Sequence, residues 1–290
     1  MSAFIVNKRA GNTENIRGPG SSSLAFHRRL PGYGPSPLRL STSVAEALGC
    51  RNVLIKDESD RFGLPSFKIL GASFAVYMEL KRRRLFDEYE WDSLEDLVRL
   101  CRDVLPRGLV TATDGNHGRG VARVAAWLGA EAEVFVPEGT AAARIAGIES
   151  EGAAVSVVPG DYDDAVEEAA SRNSEDLWLI QDTAWPGYER IPAWIVDGYA
   201  TIMEEMEEQF IAAGVEAPGL VTVQVGVGSL ATAVIRHFRS RRSGQAPLIA
   251  CVEPYSAACA YESVRAGEIV NVPGPHRSVM AGLNCGTLSS

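Results

Sequence analysis

The chain is short of the features that mark several common classes of protein. Its five cysteines (50, 101, 251, 259 and 285) stand far apart with no C-x-x-C pair, and its four histidines are scattered, so neither a disulfide framework nor a metal-ligand pattern can be read. Free thiols in a reducing compartment are expected, with the cytoplasm as the default setting. No apolar run is long enough to span a bilayer, no signal peptide is recognisable and no internal repeat is visible. Basic charge is scarce as well: 28 Lys and Arg against 37 Asp and Glu leave a net charge of −9, which argues against general affinity for nucleic acid or an anionic membrane. The one basic cluster, Lys81-Arg82-Arg83-Arg84, fits the last turn of a helix, where the dipole favours cations.

What is present is core-forming material, 46% of 290 residues, enough for one large domain or two modest ones. Residues 1–24 are polar and Gly/Ser-rich and read as a loosely held arm. Two prolines impose extended geometry on Tyr33–Leu38, and a helical pattern over Val44–Leu48 is followed by a short strand, Val53–Ile55. A helix running to about Arg84 and an acidic linker over 87–96 come next. Strands are expected at 109–113, 132–136, 154–158 and 177–181, separated by helical patterns at 118–129, 140–150 and 162–173. Strands alternating with helices of this length imply βαβ crossovers and a parallel sheet. A long helix from Ile191 to about Gly214, a strand at 220–225, a helix at 230–241 and a strand at 248–253 make a second α/β layer.

Chemistry can sit in three loops. The first runs from Lys56 to Lys68. Pro65 stops what precedes it, Ser66 can cap the orphan N–H groups, and Phe67, Ile69, Leu70, Ala72, Phe74 and Val76 follow at mostly helical spacing. Lys68 then falls in the first turn of a helix, where the dipole and its apolar neighbours favour the neutral amine. A neutral buried amine is what a carbonyl-bearing cofactor such as pyridoxal phosphate (PLP) needs to form a Schiff base. The plainer alternative is a surface lysine whose stem lies over its neighbours.

The other two loops leave the carboxyl ends of predicted strands, where ligands collect in open parallel sheets. In Thr113-Asp-Gly-Asn-His-Gly118 the side chains of Asp114, Asn116 and His117 can face a ligand, or Asp114 can simply cap the next helix. In Val225-Gly-Val-Gly-Ser-Leu-Ala231 the N–H groups and a helix N-terminus can hold a phosphate. The same glycines with Ala231 also fit a dinucleotide fingerprint, with Glu253 where a ribose-binding acid could stand, and a turn with no ligand is a third reading.

Six stretches decide among these. Lys56-Asp-Glu-Ser-x-Arg-Phe-Gly…Phe67-Lys68-x-Leu-Gly, Ala112-Thr-Asp-Gly-Asn-His-Gly-Arg-Gly-Val121, Gln181-Asp-Thr-Ala-Trp185, Gly198-Tyr-Ala200, Gly226-Val-Gly-Ser229 and Met280-Ala-Gly-Leu283 occur in family order. Over about 25–286 the chain resembles the diaminopropionate ammonia-lyase family, within the fold-type II (tryptophan synthase β-like) PLP-dependent enzymes. The resemblance implies an α/β fold of two open parallel-sheet domains with PLP in the cleft between them. Lys68 would carry the cofactor, Asn116 would contact its phenolic oxygen, and Gly226, Val227, Gly228, Ser229 and Leu230 would hold its phosphate, with Phe67 beside it. Ser66, Thr113 and His117 would line the substrate side. Relatives that dehydrate serine or threonine carry a small residue where Asp114 stands. Asp114, with Asp182, could instead pair with the second amine of diaminopropionate and act in catalysis.

The activity so implied is α,β-elimination of 2,3-diaminopropionate to pyruvate and ammonia. The alternatives are a serine/threonine dehydratase-like lyase and a non-catalytic PLP-binding homologue. A homodimer acting on a small amino acid is expected, with 85–189 as a small mobile domain against 1–84 plus 190–290. Family members continue for several tens of residues past Met280–Leu283, so a shortened C-terminal part is expected too.

Overall fold

The computed structural model describes residues 4–7, 23–240 and 246–289. Most of the arm expected over 1–24 lies outside these. A short helix α1 (Ser23–His27), which the sequence pattern had not marked, comes first, followed by β1 (Leu38–Leu40), α2 (Thr42–Leu48) and β2 (Leu54–Lys56). β1 and β2 pair antiparallel, with Leu38 opposite Lys56. The lysine helix α3 (Lys68–Arg84) ends in the expected basic turn.

The expected acidic linker contains a helix, α4 (Leu94–Leu100). Ser93 accepts the Asp96 N–H and Asp96 reaches back to Ser93, a capping box that starts the helix, while Leu94 and Leu97 bury its inner side. Then come β3 (Gly108–Ala112), α5 (Asn116–Leu128), β4 (Glu131–Pro137), α6 (Ala142–Glu149), β5 (Ala154–Val158), α7 (Tyr162–Ser171) and β6 (Leu177–Leu179). These strands form a parallel sheet in the order β5-β4-β3-β6. All five residues of central β3 are buried. Successive residues go to opposite faces, so Val110 joins Ala165 and Ala169 of α7, while Leu109 joins Val121 and Ala125 of α5.

The single long helix expected over 191–214 is two helices, α8 (Arg190–Gly198) and α9 (Ala200–Ala213), joined at Tyr199. Close packing accounts for the break. A Cβ on Gly198 would lie 2.5 Å from the Leu70 carbonyl oxygen, so α8 touches the backbone of α3 at its last residue and the chain must turn away there. After the break come β7 (Leu220–Gln224), α10 (Ser229–Ser240), β8 (Leu248–Val252) and α11 (Cys259–Ala266). β7 and β8 pair in parallel in a sheet separate from the four-stranded one.

α3 holds the two layers together. On its other side a Cβ on Gly120 of α5 would lie 3.1 Å from the Ile69 backbone. The first turn of α3 is therefore gripped between α5 and α8, which fixes where Lys68 points.

Candidate active site

Lys68 opens α3, but Ser66 does not cap it. Phe67 occupies the N-cap with helical φ and ψ and no side-chain cap, and the Ser66 hydroxyl only approaches the Lys68 N–H, at 3.5 Å. The loop before it is anchored elsewhere. Arg61 donates to both Glu205 oxygens on α9, at 2.7 and 2.9 Å, and to Glu58 at 2.6 and 3.0 Å. Lys56 donates to Glu205 at 2.7 Å, to Gln209 at 2.9 Å and to the Ser36 carbonyl at 2.8 Å.

The partner of Lys68 comes from the end of β6. Gln181 fixes that end: its side-chain oxygen accepts from the Ala112 N–H and the Thr111 hydroxyl, both at 2.9 Å, and its amide donates to the Tyr162 hydroxyl at 2.8 Å. Asp182 follows, and its Oδ2 accepts from Lys68 Nζ at 2.6 Å. The neutral amine expected for Lys68 is therefore corrected. Burial does disfavour the charge, but the Asp182 carboxylate outweighs burial and dipole together, and the lysine pKa is raised. Burial likewise works against the Asp182 carboxylate, yet its neighbours His117 and Lys68 hold its pKa down to about 2.

His117 lies 3.8 Å from Asp182, buried, with Nε2 donating to the Ile180 carbonyl at 2.7 Å. Burial lowers its pKa, with the Asp182 carboxylate working the other way. Asp114 is not a helix cap: Gly115 occupies that position. The Asp114 side chain is 43% exposed, 3.5 Å from Arg144 of α6, whose guanidinium also donates to the Asp114 carbonyl at 3.0 Å. Burial raises its carboxyl pKa, and Lys68 and Arg144 only partly offset this. Thr113 is buried and accepts the Gly115 N–H at 2.9 Å, so its hydroxyl shapes the turn. Asn116 is exposed at the start of α5.

The turn between β7 and α10 meets the same place. Ser229 donates to the Asp182 carbonyl at 3.1 Å. Gly228 has φ +101°, which favours glycine. Among the described residues none of the backbone N–H groups from Gly226 to Leu230 donates to another backbone group. The dinucleotide reading loses its acid, because the Glu253 carboxylate accepts the Ala260 and Tyr261 N–H groups, at 2.7 and 2.8 Å, in the first turn of α11.

Among the described residues four buried side-chain polar atoms lack a hydrogen-bond partner, and three of them, His117 Nδ1, Thr183 Oγ1 and Tyr199 OH, belong to this site. Such an atom costs ~1–3 kcal/mol when left unmet. Their gathering beside a half-buried lysine and a row of N–H groups without backbone partners fits a polar, phosphate-bearing aldehyde such as PLP. Thr183 and Tyr199 lie inside two of the stretches that carry the resemblance, Gln181–Trp185 and Gly198–Ala200, but neither has a role assigned from sequence alone. Glycines 71 and 198, at which two helices touch, were a further signal for Tyr199.

A family model described as "Pyridoxal-phosphate dependent enzyme" matches residues 29–290. The chain belongs to the pyridoxal-phosphate dependent enzyme family. Within this family it is 39% identical over 279 residues to diaminopropionate ammonia-lyase of Escherichia coli (strain K12), covering 95% of this chain and 69% of the relative. A crystal structure of the Escherichia coli enzyme in complex with an aminoacrylate-PLP azomethine reaction intermediate superposes with a TM-score of 0.81 at 36% identity, covering 92% of this chain and 66% of that one. The chain thus spans about two thirds of the length of these relatives. L-serine dehydratase/L-threonine deaminase of Homo sapiens is more distant, 31% identical over 211 residues, 70% of this chain and 58% of that protein. The fold-type II architecture expected of a PLP-dependent enzyme is the one observed. No helix among the described residues is long and apolar enough to cross a membrane, and all five cysteines are unbridged.

Proposed function

We propose that the chain is a PLP-dependent ammonia-lyase that eliminates the β-amine of 2,3-diaminopropionate to give pyruvate and ammonia. The observation that carries this reading is the Lys68–Asp182 pair with a half-exposed Asp114 near enough for the lysine charge to reach it, in a chain so similar to diaminopropionate ammonia-lyase. When bound, PLP supplies an electron sink for charge developing at the substrate Cα.

The rest falls to the protein. Lys68 carries the cofactor, and its freed amine takes the Cα proton on one face of the substrate. Asp182 holds and releases that amine and keeps a negative charge close to Nζ. Asp114 faces the β-ammonium or, for the other enantiomer, serves as base. The N–H groups of 226–230 hold the phosphate, and Asn116, Phe67, Ser66 and His117 line the cleft. We assign to the same proposal a small domain, 85–189, that closes on 1–84 plus 190–290 to exclude water, a homodimeric assembly and a cytoplasmic setting. Unbridged thiols support the last of these.

The likeness to serine dehydratase supports a second reading, elimination of water from serine. The two readings are separated by measuring pyruvate and ammonia from D- and L-diaminopropionate and from D- and L-serine. Two equivalents of ammonia per pyruvate from diaminopropionate, at a higher kcat/KM than serine gives, are expected. A preference for serine would overturn the proposal.

A further inference from the structure

Tyr199 sits at the break between α8 and α9 with its side chain fully buried. Its ring stands edge-on to Phe67, centroids 5.0 Å apart. The ring fills a hollow that exists because residue 71 is glycine: a Cβ there would lie 2.6 Å from Tyr199 Cε1 and 2.9 Å from Cζ. Lys68 and Gly71 are three residues apart on α3 and so share a face, and helical side chains lean toward the N-terminus. The ring carbon that bears the hydroxyl therefore rests beside the stem of Lys68.

That hydroxyl has no hydrogen-bond partner. A phenylalanine would fill the same hollow without burying an unmet polar group, so packing does not explain the oxygen. In the ammonium form Lys68 donates to Asp182 at 2.6 Å, and the structure shows no hydrogen bond from it to the Tyr199 oxygen although the two groups are close enough to feel each other's charge. What the hydroxyl can still do is donate, and the neutral amine of Lys68, a group whose charge reaches Tyr199, is an acceptor that appears during turnover.

We infer that Tyr199 is a positioning residue for Lys68: its O–H donates to the lone pair of Nζ whenever the amine is neutral and off Asp182. No proton is transferred. The hydrogen bond keeps the free amine in place between its departure from the cofactor and its return. This rests on the reading that Lys68 carries PLP. The hydrogen bond favours the neutral amine and opposes the pull of Asp182 toward the ammonium. The other titratable groups whose charges reach Lys68 are Asp114, His117, Tyr162 and Cys285, and none needs to change for this effect.

The test is Tyr199→Phe, read on apo-protein before activity. PLP is added over a range of pH and the rate of Schiff-base formation is followed by absorbance. The melting temperature of apo Tyr199→Phe protein should equal or exceed that of wild type. The pH midpoint of cofactor capture should move up by roughly half to one unit, as expected for loss of one ordinary hydrogen bond. In the holoenzyme kcat should fall by about 3- to 10-fold with KM within twofold. Site-specific incorporation of fluorotyrosine at 199 keeps the ring and strengthens the donor, and should move the midpoint down. An unmoved midpoint in both proteins, or in the fluorotyrosine protein alone if Tyr199→Phe does not fold, would reduce Tyr199 to packing. A borohydride-fixed pyridoxyl group on Lys68→Ala protein would overturn the cofactor assignment itself.

Discussion

The loop from Lys56 to Lys68 ends in two charge clusters, the first buried and the second partly so, that are finished differently. At its start, Arg61, Lys56, Glu58 and Glu205 satisfy one another: Arg61 is 1% exposed and donates to both oxygens of Glu205. At its end, Lys68 and Asp182 are just as close, at 2.6 Å, yet His117, Thr183 and Tyr199 around them each keep an unmet atom. The closed cluster can do nothing but hold, and it ties the loop to α9. The open one has bonds left to make, so the unmet atoms locate chemistry better than the charges do.

If this contrast is right, substitutions in and around the open cluster should change reaction far more than stability, with the Lys68–Asp182 pair itself the one part that also stabilises the fold, and those in the closed cluster should do the reverse. Asp114→Asn is the largest expected effect. If the carboxylate is the base for one enantiomer, elimination from D-diaminopropionate should fall ~10²–10⁴-fold while the L-isomer keeps substantial activity and the melting temperature barely moves. If charge pairing dominates instead, both isomers should suffer mainly in KM. Equal, small changes on both would remove Asp114 from the chemistry.

Glu205→Gln should act the other way. Among the described residues it leaves Glu58 as the one carboxylate facing the two cations Arg61 and Lys56, and urea unfolding should show a loss of ~3–5 kcal/mol. A loss of only ~0–1 kcal/mol, of the size expected for an exposed pair such as Arg28 and Glu208, would mean that the closed cluster does not hold the loop.

Gly228→Asp tests the phosphate turn. A side chain at φ +101° is strained and its charge would oppose a phosphate, so PLP affinity by fluorescence titration should drop on the order of 100-fold. Gly228→Ala should show the strain alone and a smaller drop. Unchanged affinity in the Asp variant would move the phosphate elsewhere.

The smallest effect is on pH. The Asp182 pKa is lowered in the folded chain to about 2 from 3.8, so its contribution is present above the unfolded value and is lost as pH falls from about 4 through about 2. Apo wild type should lose about 2 kcal/mol more than Asp182→Asn over that window. Parallel stability curves would contradict the ion pair.

Much of this was legible in the sequence, for identifiable reasons. The strands at 109–113, 132–136 and 154–158 read clearly because β-branched and apolar residues run between Gly and Pro punctuation, and β3, β4 and β5 fall within one residue of them. Lys68 could be placed at a helix start because Pro65 and the apolar run bracket it. Its charge could not, because Asp182 is 114 positions away and pairs with it only through the fold. The break at Tyr199 was invisible for a similar reason: local periodicity continues across it, and the cause is the approach of Leu70 to Gly198. Helix α4 was lost in a run of acidic residues whose capping role shows only once Ser93 and Asp96 are seen bonded to each other.

The central claim is that the open cluster is built to hold PLP on Lys68. Apo-protein mixed with PLP, reduced with borohydride, digested and mapped by mass spectrometry tests it most directly. A pyridoxyl group on the peptide carrying Lys68, and its absence from Lys68→Ala protein, is the predicted result. A pyridoxyl group on another lysine, or none at all with folded protein, would contradict it.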